Sequence, residues 1–201
     1  MHPKEAKKTR NGTGRLAHLA LRNSEIITGV DFSEDPRVQA LLADEKFMAC
    51  ILYPGKTSVE SLIFLSKETA INGRALLIFV IDGTWITAKK MMKLSQNLHT
   101  LPRIALEPSQ ASRFTIKHQP NPLCLSTIEA IACLLDQMED QGLENLRGRH
   151  ENLRDILEKM VQAQLDYIND PTVPGYRKER LSSAAPRSRS KKHRKRFPFF
   201  Q

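Results

Sequence analysis

Long apolar runs are missing from this 201-residue sequence; none approaches the roughly 18 residues that span a bilayer. The opening Met1-His2-Pro3-Lys4-Glu5 lacks an apolar region of the secretory type. No membrane partner is expected. Cysteine is scarce: three, at 50, 124 and 133, with no CxxC pair and no even disulfide set. That usage points to a reducing compartment and hence to a cytoplasmic protein. No Cys/His spacing suits zinc, so no metal is expected. Cys50 and Cys133 lie in apolar segments and read as small core residues. Aromatic residues make up only 6% and include a single tryptophan, Trp85.

Acid is almost absent from the carboxyl-terminal end. Residues 177–201 hold ten Lys or Arg against Glu179 alone, so residues 1–176 carry 21 of each sign and the tail carries the whole net charge of +9. With Ser182-Ser183-Ala184-Ala185-Pro186 and little that can form a core, residues 176–201 read as a disordered basic tail behind one domain, residues 1–175. A mobile cationic tail attracts polyanions, nucleic acid first among them, and Lys191 and Lys192 are its candidate RNA contacts. A solubility tail, or a localisation signal in a eukaryotic protein, is the plainer alternative.

What is present is an alternation of strands and helices. Phe47–Tyr53 and Arg74–Ile81 read as clear strands, Ile26–Val30 as a weak one, and Pro102–Leu106 and Arg113–Lys117 as short ones. Helices are expected over Leu16–Leu21, Pro36–Asp44, Ile86–Leu98, Ser126–Met138 and Asn145–Ile168, with a loop at Asn11–Arg15. Val59–Leu65 fits either state. The pattern implies an α/β domain with a mostly parallel sheet flanked by helices and Arg74–Ile81 as its central strand.

The run Leu76–Ile81 ends abruptly in Asp82-Gly83-Thr84-Trp85. Open α/β sheets place ligands at the carboxyl ends of their strands, so polar residues there are functional candidates. Asp82-Gly83 is equally an ordinary turn, and Thr84 an ordinary helix cap. Two further strand ends, Tyr53-Pro54-Gly55-Lys56 and Glu107-Pro108-Ser109, would share the same rim. A fourth segment, Leu125-Ser126-Thr127-Ile128-Glu129, contains a capping box, Ser126 with Glu129, which accounts for that acid; its exposed amides also suit an anionic ligand group. Arg103, Arg113, Lys117 and His118 add positive charge nearby. Phe114 fits a base-stacking role or, more simply, a place in the core.

In order along the chain, these segments resemble a known family. Asp82-Gly83-Thr84-Trp85 followed by Ala88-Lys89-Lys90-Met91 is similar to the signature of DTW-domain proteins, the tRNA-uridine aminocarboxypropyltransferases. His2-Pro3-x-Glu5, Thr13-Gly14-Arg15-Leu16, Leu52-Tyr53-Pro54, Leu101-Pro102, Pro108-Ser109-x-x-Ser112-Arg113-Phe114 and Leu125-Ser126-Thr127-Ile128-Glu129-Ala130 fall in family order over residues 2–135. Many members carry a cysteine-rich segment ahead of the His-Pro element, and this sequence opens on that element. The resemblance therefore implies a short subfamily or a missing amino-terminal part.

The resemblance implies a SPOUT-like fold with a carboxyl-terminal knot, a rare exception to ordinary topology. It also implies S-adenosylmethionine as co-substrate, RNA (most often tRNA) as partner, and transfer of the 3-amino-3-carboxypropyl group to N3 of a uridine, releasing methylthioadenosine. Asp82, Thr84 and Trp85 are then the catalytic candidates, with Asp82 accepting or orienting the N3 proton. Leu52, Tyr53, Pro54, Gly83, Pro108, Ser109, Leu125, Ser126, Thr127 and Glu129 would hold the co-substrate. Arg15, Arg113 and Lys117 join Lys191 and Lys192 as RNA candidates. The alternatives are a SPOUT-type RNA methyltransferase and a catalytically silent RNA-binding protein.

Overall fold

The computed structural model describes residues 1–8, 11–54, 67, 69, 72–106, 108, 110–117, 121, 123–170 and 172. Two apolar runs make the sheet: β1 (Phe47–Leu52) and β2 (Ala75–Val80) pair in parallel, in register from Phe47 opposite Ala75 to Leu52 opposite Val80. On the other side of β1 lies β3 (Arg103–Ile104), also parallel, with Leu52 opposite Ile104. The order is β2-β1-β3, so β1 is central, not the strand that leads to Asp82. Burial gives the reason. Cys50 and Ile51 are fully buried and Leu52 nearly so, whereas β2 is only half-buried along its length. A continuous apolar run reports hydrophobicity, not place in the sheet.

Side chains alternate between the two faces, as the pleat requires. Cys50, Leu52, Leu76, Ile78 and Val80 face a helix, α5 (Thr127–Asp140), through Leu134 and Met138. Ile51, Phe79 and Ile81 face the opposite layer, built by Val38 of α3 (Pro36–Ala43) and by Met91 and Met92 of α4 (Trp85–Leu94). Beyond α5, a second core joins α2 (Thr13–Ala20) to α6 (Asn152–Asn169), where Ala17, Ile128, Ala132, Leu153 and Leu157 meet. Phe114, half-buried, packs against this cluster, in line with the simpler of its two expected roles. Burial pushes the Cys50 thiol up to about 12, so it behaves as an apolar filler.

Several elements differ from the sequence reading. Of the loop expected at Asn11–Arg15, Asn11 and Gly12 lie outside a helix, but α2 begins at Thr13 with Gly12 as its cap, and α1 (Pro3–Lys8) lies ahead of it. Ile26–Val30 forms no strand, and the Gly29 amide bonds instead to the Met1 carbonyl at 3.1 Å. Arg113–Lys117 is a turn, closed by the Thr115 amide on the Arg113 carbonyl at 2.8 Å. The helix after Trp85 stops at Leu94, because the buried Ser95 hydroxyl turns to accept the Phe32 amide at 3.0 Å; a 3-10 turn, Gln96–Leu98, follows. The last helix starts at Asn152 rather than Asn145, since Arg147 and Gly148 take φ of 54° and 68°, outside any right-handed helix. Pro36 holds as a helix start, with the Asp35 carboxylate accepting the Arg37 and Val38 amides at 3.0 Å. Val59–Leu65, Ser109 and the tail lie outside the described residues. Among the described residues, no helix is long and apolar enough to cross a membrane.

Candidate active site

Parallel pairing puts the carboxyl ends of the three described strands on one edge. Tyr53 follows β1, Asp82 follows β2 and Leu106 lies just past β3. The Tyr53 amide extends the ladder by donating to the Ile104 carbonyl at 3.1 Å. Burial raises the Tyr53 hydroxyl above its usual range, opposed by the Arg103 guanidinium, which sits over the ring at 5.8 Å.

Asp82 is the meeting point. Its Oδ1 accepts from the hydroxyl of Thr127, the first residue of α5, at 2.7 Å. Its carbonyl accepts the His2 amide at 2.8 Å, which docks the start of α1 on the same corner. On a third side lies Gly14 in the first turn of α2; a Cβ there would meet the Asp82 carboxylate at 2.4–2.7 Å. Only a glycine lets the α2 backbone approach so closely. Gly83 has a similar reason, since a Cβ would fall 2.6 Å from the Thr87 hydroxyl. Thr84 caps α4 by accepting the Thr87 amide at 3.3 Å, and Trp85 is half-buried as the first residue of that helix. The first turns of α2, α4 and α5 thus converge on one strand end. Helix starts carry unsatisfied amides and favour negatively charged groups.

Glu129 sits one turn into α5 and is buried with four donors around it. Oε2 accepts the Ser126 amide at 2.8 Å, the Ser126 hydroxyl at 2.6 Å and the Ser112 hydroxyl at 2.8 Å; Oε1 accepts the Arg113 amide at 2.6 Å. The capping box is real, and it reaches further than the sequence motif states: it ties the 112–114 segment to the helix start. Ser126 is buried in this network, while Leu125 and Pro108 are half-buried.

Among the described residues, the basic candidates do not gather. Arg15 donates to the Ala6 carbonyl at 3.1 Å, joining α2 to α1, and its Nε is buried without a hydrogen-bond partner. Arg113 pairs through its guanidinium with Glu158 of α6, both about half-exposed. Lys117 stands 6.0 Å over the Phe114 ring. Lys191, Lys192 and Ser109 lie outside the described residues. A shallow depression beside α6, lined by Arg113, Glu158, Lys159, Val161 and Gln162, includes none of the strand-end residues. Gly14 is the site residue that the sequence reading passed over as a role, although it lies within a segment quoted for the resemblance. His2, buried beside Gly83, is a second.

Asp136, His150 and Glu151 also bring potential metal-ligand atoms together. There Arg154 already supplies the cation, hydrogen-bonded to both oxygens of Asp136 and, at 2.6 Å, to Glu151. His150 bonds the same Asp136 at 2.7 Å, so the group reads as a strut between α5 and α6.

A family model described as the DTW domain matches residues 1–165, which contain every element named above except the end of α6. The chain belongs to the DTW-domain family. Curated relatives of this DTW domain carry the name tRNA-uridine aminocarboxypropyltransferase 2. The protein from Macaca fascicularis is 29% identical over 139 residues, covering 69% of this chain and 46% of that protein. The one from Mus musculus is 34% identical over 114 residues, 55% of this chain and 36% of that one. A Drosophila melanogaster relative is 33% identical over 91 residues, 45% and 34% of the two chains. The chain spans less than half the length of these relatives. No solved structure matches it.

Proposed function

We propose that this DTW domain is a tRNA-uridine aminocarboxypropyltransferase. It takes the 3-amino-3-carboxypropyl group from S-adenosylmethionine to N3 of a uridine and releases methylthioadenosine. The observation that carries the reading is the fixed carboxylate of Asp82, held by Thr127 at 2.7 Å and walled by Gly14 at the end of a parallel strand. Membership of a family whose curated relatives bear that name supplies the reaction.

The residues present fit the co-substrate. Three helix starts offer amides to its carboxylate, the buried Arg15 Nε lacks a partner, and Gly14 and Gly83 let their own backbones close on Asp82 and Thr87 to shape the corner. Tyr53, Pro54, Pro108, Ser109, Leu125, Ser126 and Thr127 would hold its adenosine and methionine parts, with Leu52 and Glu129 fixing the loops from behind. When bound, S-adenosylmethionine supplies a sulfonium-activated γ-carbon and departs as methylthioadenosine. Asp82 accepts or orients the N3 proton of the uridine, so that the nitrogen lone pair is free to attack. With Oδ1 engaged by Thr127, Oδ2 is the oxygen left for that proton. Thr84 and Trp85 shape the entrance, and positioning supplies much of the acceleration.

The same reading places the protein in the cytoplasm, in keeping with three free cysteines. It gives the domain, residues 1–175, a SPOUT-like knot and assigns the basic tail, residues 176–201, to RNA contact. The test is incubation with S-adenosylmethionine and unmodified tRNA. Methylthioadenosine is the expected product, and Asp82→Ala abolishes it while circular dichroism stays unchanged. S-adenosylhomocysteine in its place would identify a methyltransferase. RNA binding with no product of either kind would identify a silent binder.

A further inference from the structure

We propose that the exposed face of α4 is the surface along which the acceptor strand of the RNA lies, taking the RNA itself from the reading above. Ile86 is its apolar contact, and Lys90 and Lys93 are its phosphate contacts. α4 is two-sided. Ala88, Met91 and Met92 are buried, whereas Lys90 and Lys93 are exposed and Ile86 is 83% exposed. Positions 86, 90 and 93 follow the i, i+4, i+7 spacing of one helical stripe.

Along the sequence, charge is segregated at this stripe. From Gly83 to Leu106 there is no acidic residue, against Lys89, Lys90, Lys93 and Arg103. Residues 126–170, by contrast, hold ten acids and four Lys or Arg. Among the described residues, arginines in ion pairs sit elsewhere: Arg37 with Glu25, Arg113 with Glu158, and Arg154 with Asp136 and Glu151. α1 begins at the same corner, through the His2 amide on the Asp82 carbonyl, and brings exposed Lys4 and Lys7 to this end of the fold.

Ile86 is the most exposed of the large apolar residues described, and it stands four positions after Asp82. An aliphatic group at the head of a lysine stripe matches a polymer that alternates anionic linkages with apolar base faces. Ile86 meets a base next to the target uridine, and the lysines hold the phosphates behind it. About 10 Å of helix axis separates Ile86 from Lys93, enough for a short stretch of strand.

The experiment uses the full chain and a fluorescent, unmodified tRNA transcript titrated over a salt series, with folding checked by circular dichroism. Lys90→Gln with Lys93→Gln weakens binding and makes the plot of log affinity against log salt shallower by about 1.5, from roughly 0.7–0.9 per phosphate contact. Ile86→Ser weakens binding about fivefold and leaves that slope unchanged. Lys159→Gln, on α6, changes neither. An unchanged slope in the double lysine variant overturns the surface, as does full affinity in Ile86→Ser. Methylthioadenosine is measured in the same samples. Its absence from the wild type, with the slopes shifting as expected, removes the transferase reading and keeps the surface. Its presence with unchanged slopes does the reverse.

Discussion

At the scale of single residues, Gly14 and Asp82 form a contact whose two halves pull in opposite directions. Alanine is favoured over glycine by about 1 kcal/mol inside a helix and by less in a first turn, so Gly14→Ala would modestly strengthen α2 if the space were free. It is not free: the new methyl would lie 2.4 Å from the Asp82 Cγ. The carboxylate must swing away or α2 must lift. Misplacement of that order costs about 100-fold in rate. Gly14→Ala is therefore expected to lose at least that much transfer while its melting temperature moves by only a few degrees. A variant with normal turnover would show that the Asp82 position is not critical. Asp82 itself was legible in the sequence, because an acid that ends an apolar strand is conspicuous. Gly14 was not. Its importance comes from a neighbour 68 positions away, which no local pattern reveals.

At the scale of elements, the junction of the 112–114 segment with α5 rests on Glu129. Replacing it with glutamine removes half the acceptor capacity and introduces two competing donors beside the Ser126 and Arg113 amides. A cost of about 1–3 kcal/mol is expected in urea unfolding, together with faster amide exchange at Ser112–Phe114. Equal stability would mean that water replaces the carboxylate. The Ser126-x-x-Glu129 spacing made the capping box readable in advance. The two further donors, Ser112 and the Arg113 amide, arrive through tertiary packing and left no sequence trace. Strands and helices with strong patterns, β1, β2, α3 and α5, were likewise readable. Errors arose where a left-handed residue broke a helical period, as at Arg147 and Gly148, or where an extended segment found no sheet partner, as at Ile26–Val30.

At the scale of the whole molecule, charge divides into an evenly balanced body and a cationic tail, and within the body into an acid-free stretch and an acid-rich one. Deleting residues 177–201 removes ten cations and is expected to weaken tRNA binding and flatten its salt dependence more than the paired lysine change on α4 does. An unchanged slope would mean that the tail does not touch RNA. The family could be recognised from ordered segments spread over the chain, but the order of strands could not, since apolar content alone does not tell a central strand from its neighbour.

The seat of α2 has a consequence for synthesis. Ala17 packs among Ile128, Leu153, Leu157 and Met160, so α2 has nowhere to dock until α5 and most of α6 exist. During synthesis α2 therefore waits without its core partners until α5 and α6 emerge, although α1 can already close on the Asp82 carbonyl. The wall that Gly14 gives to Asp82 is put in place last, and a nascent chain stalled before α6 would hold the strand end and the carboxylate without the corner that makes them useful.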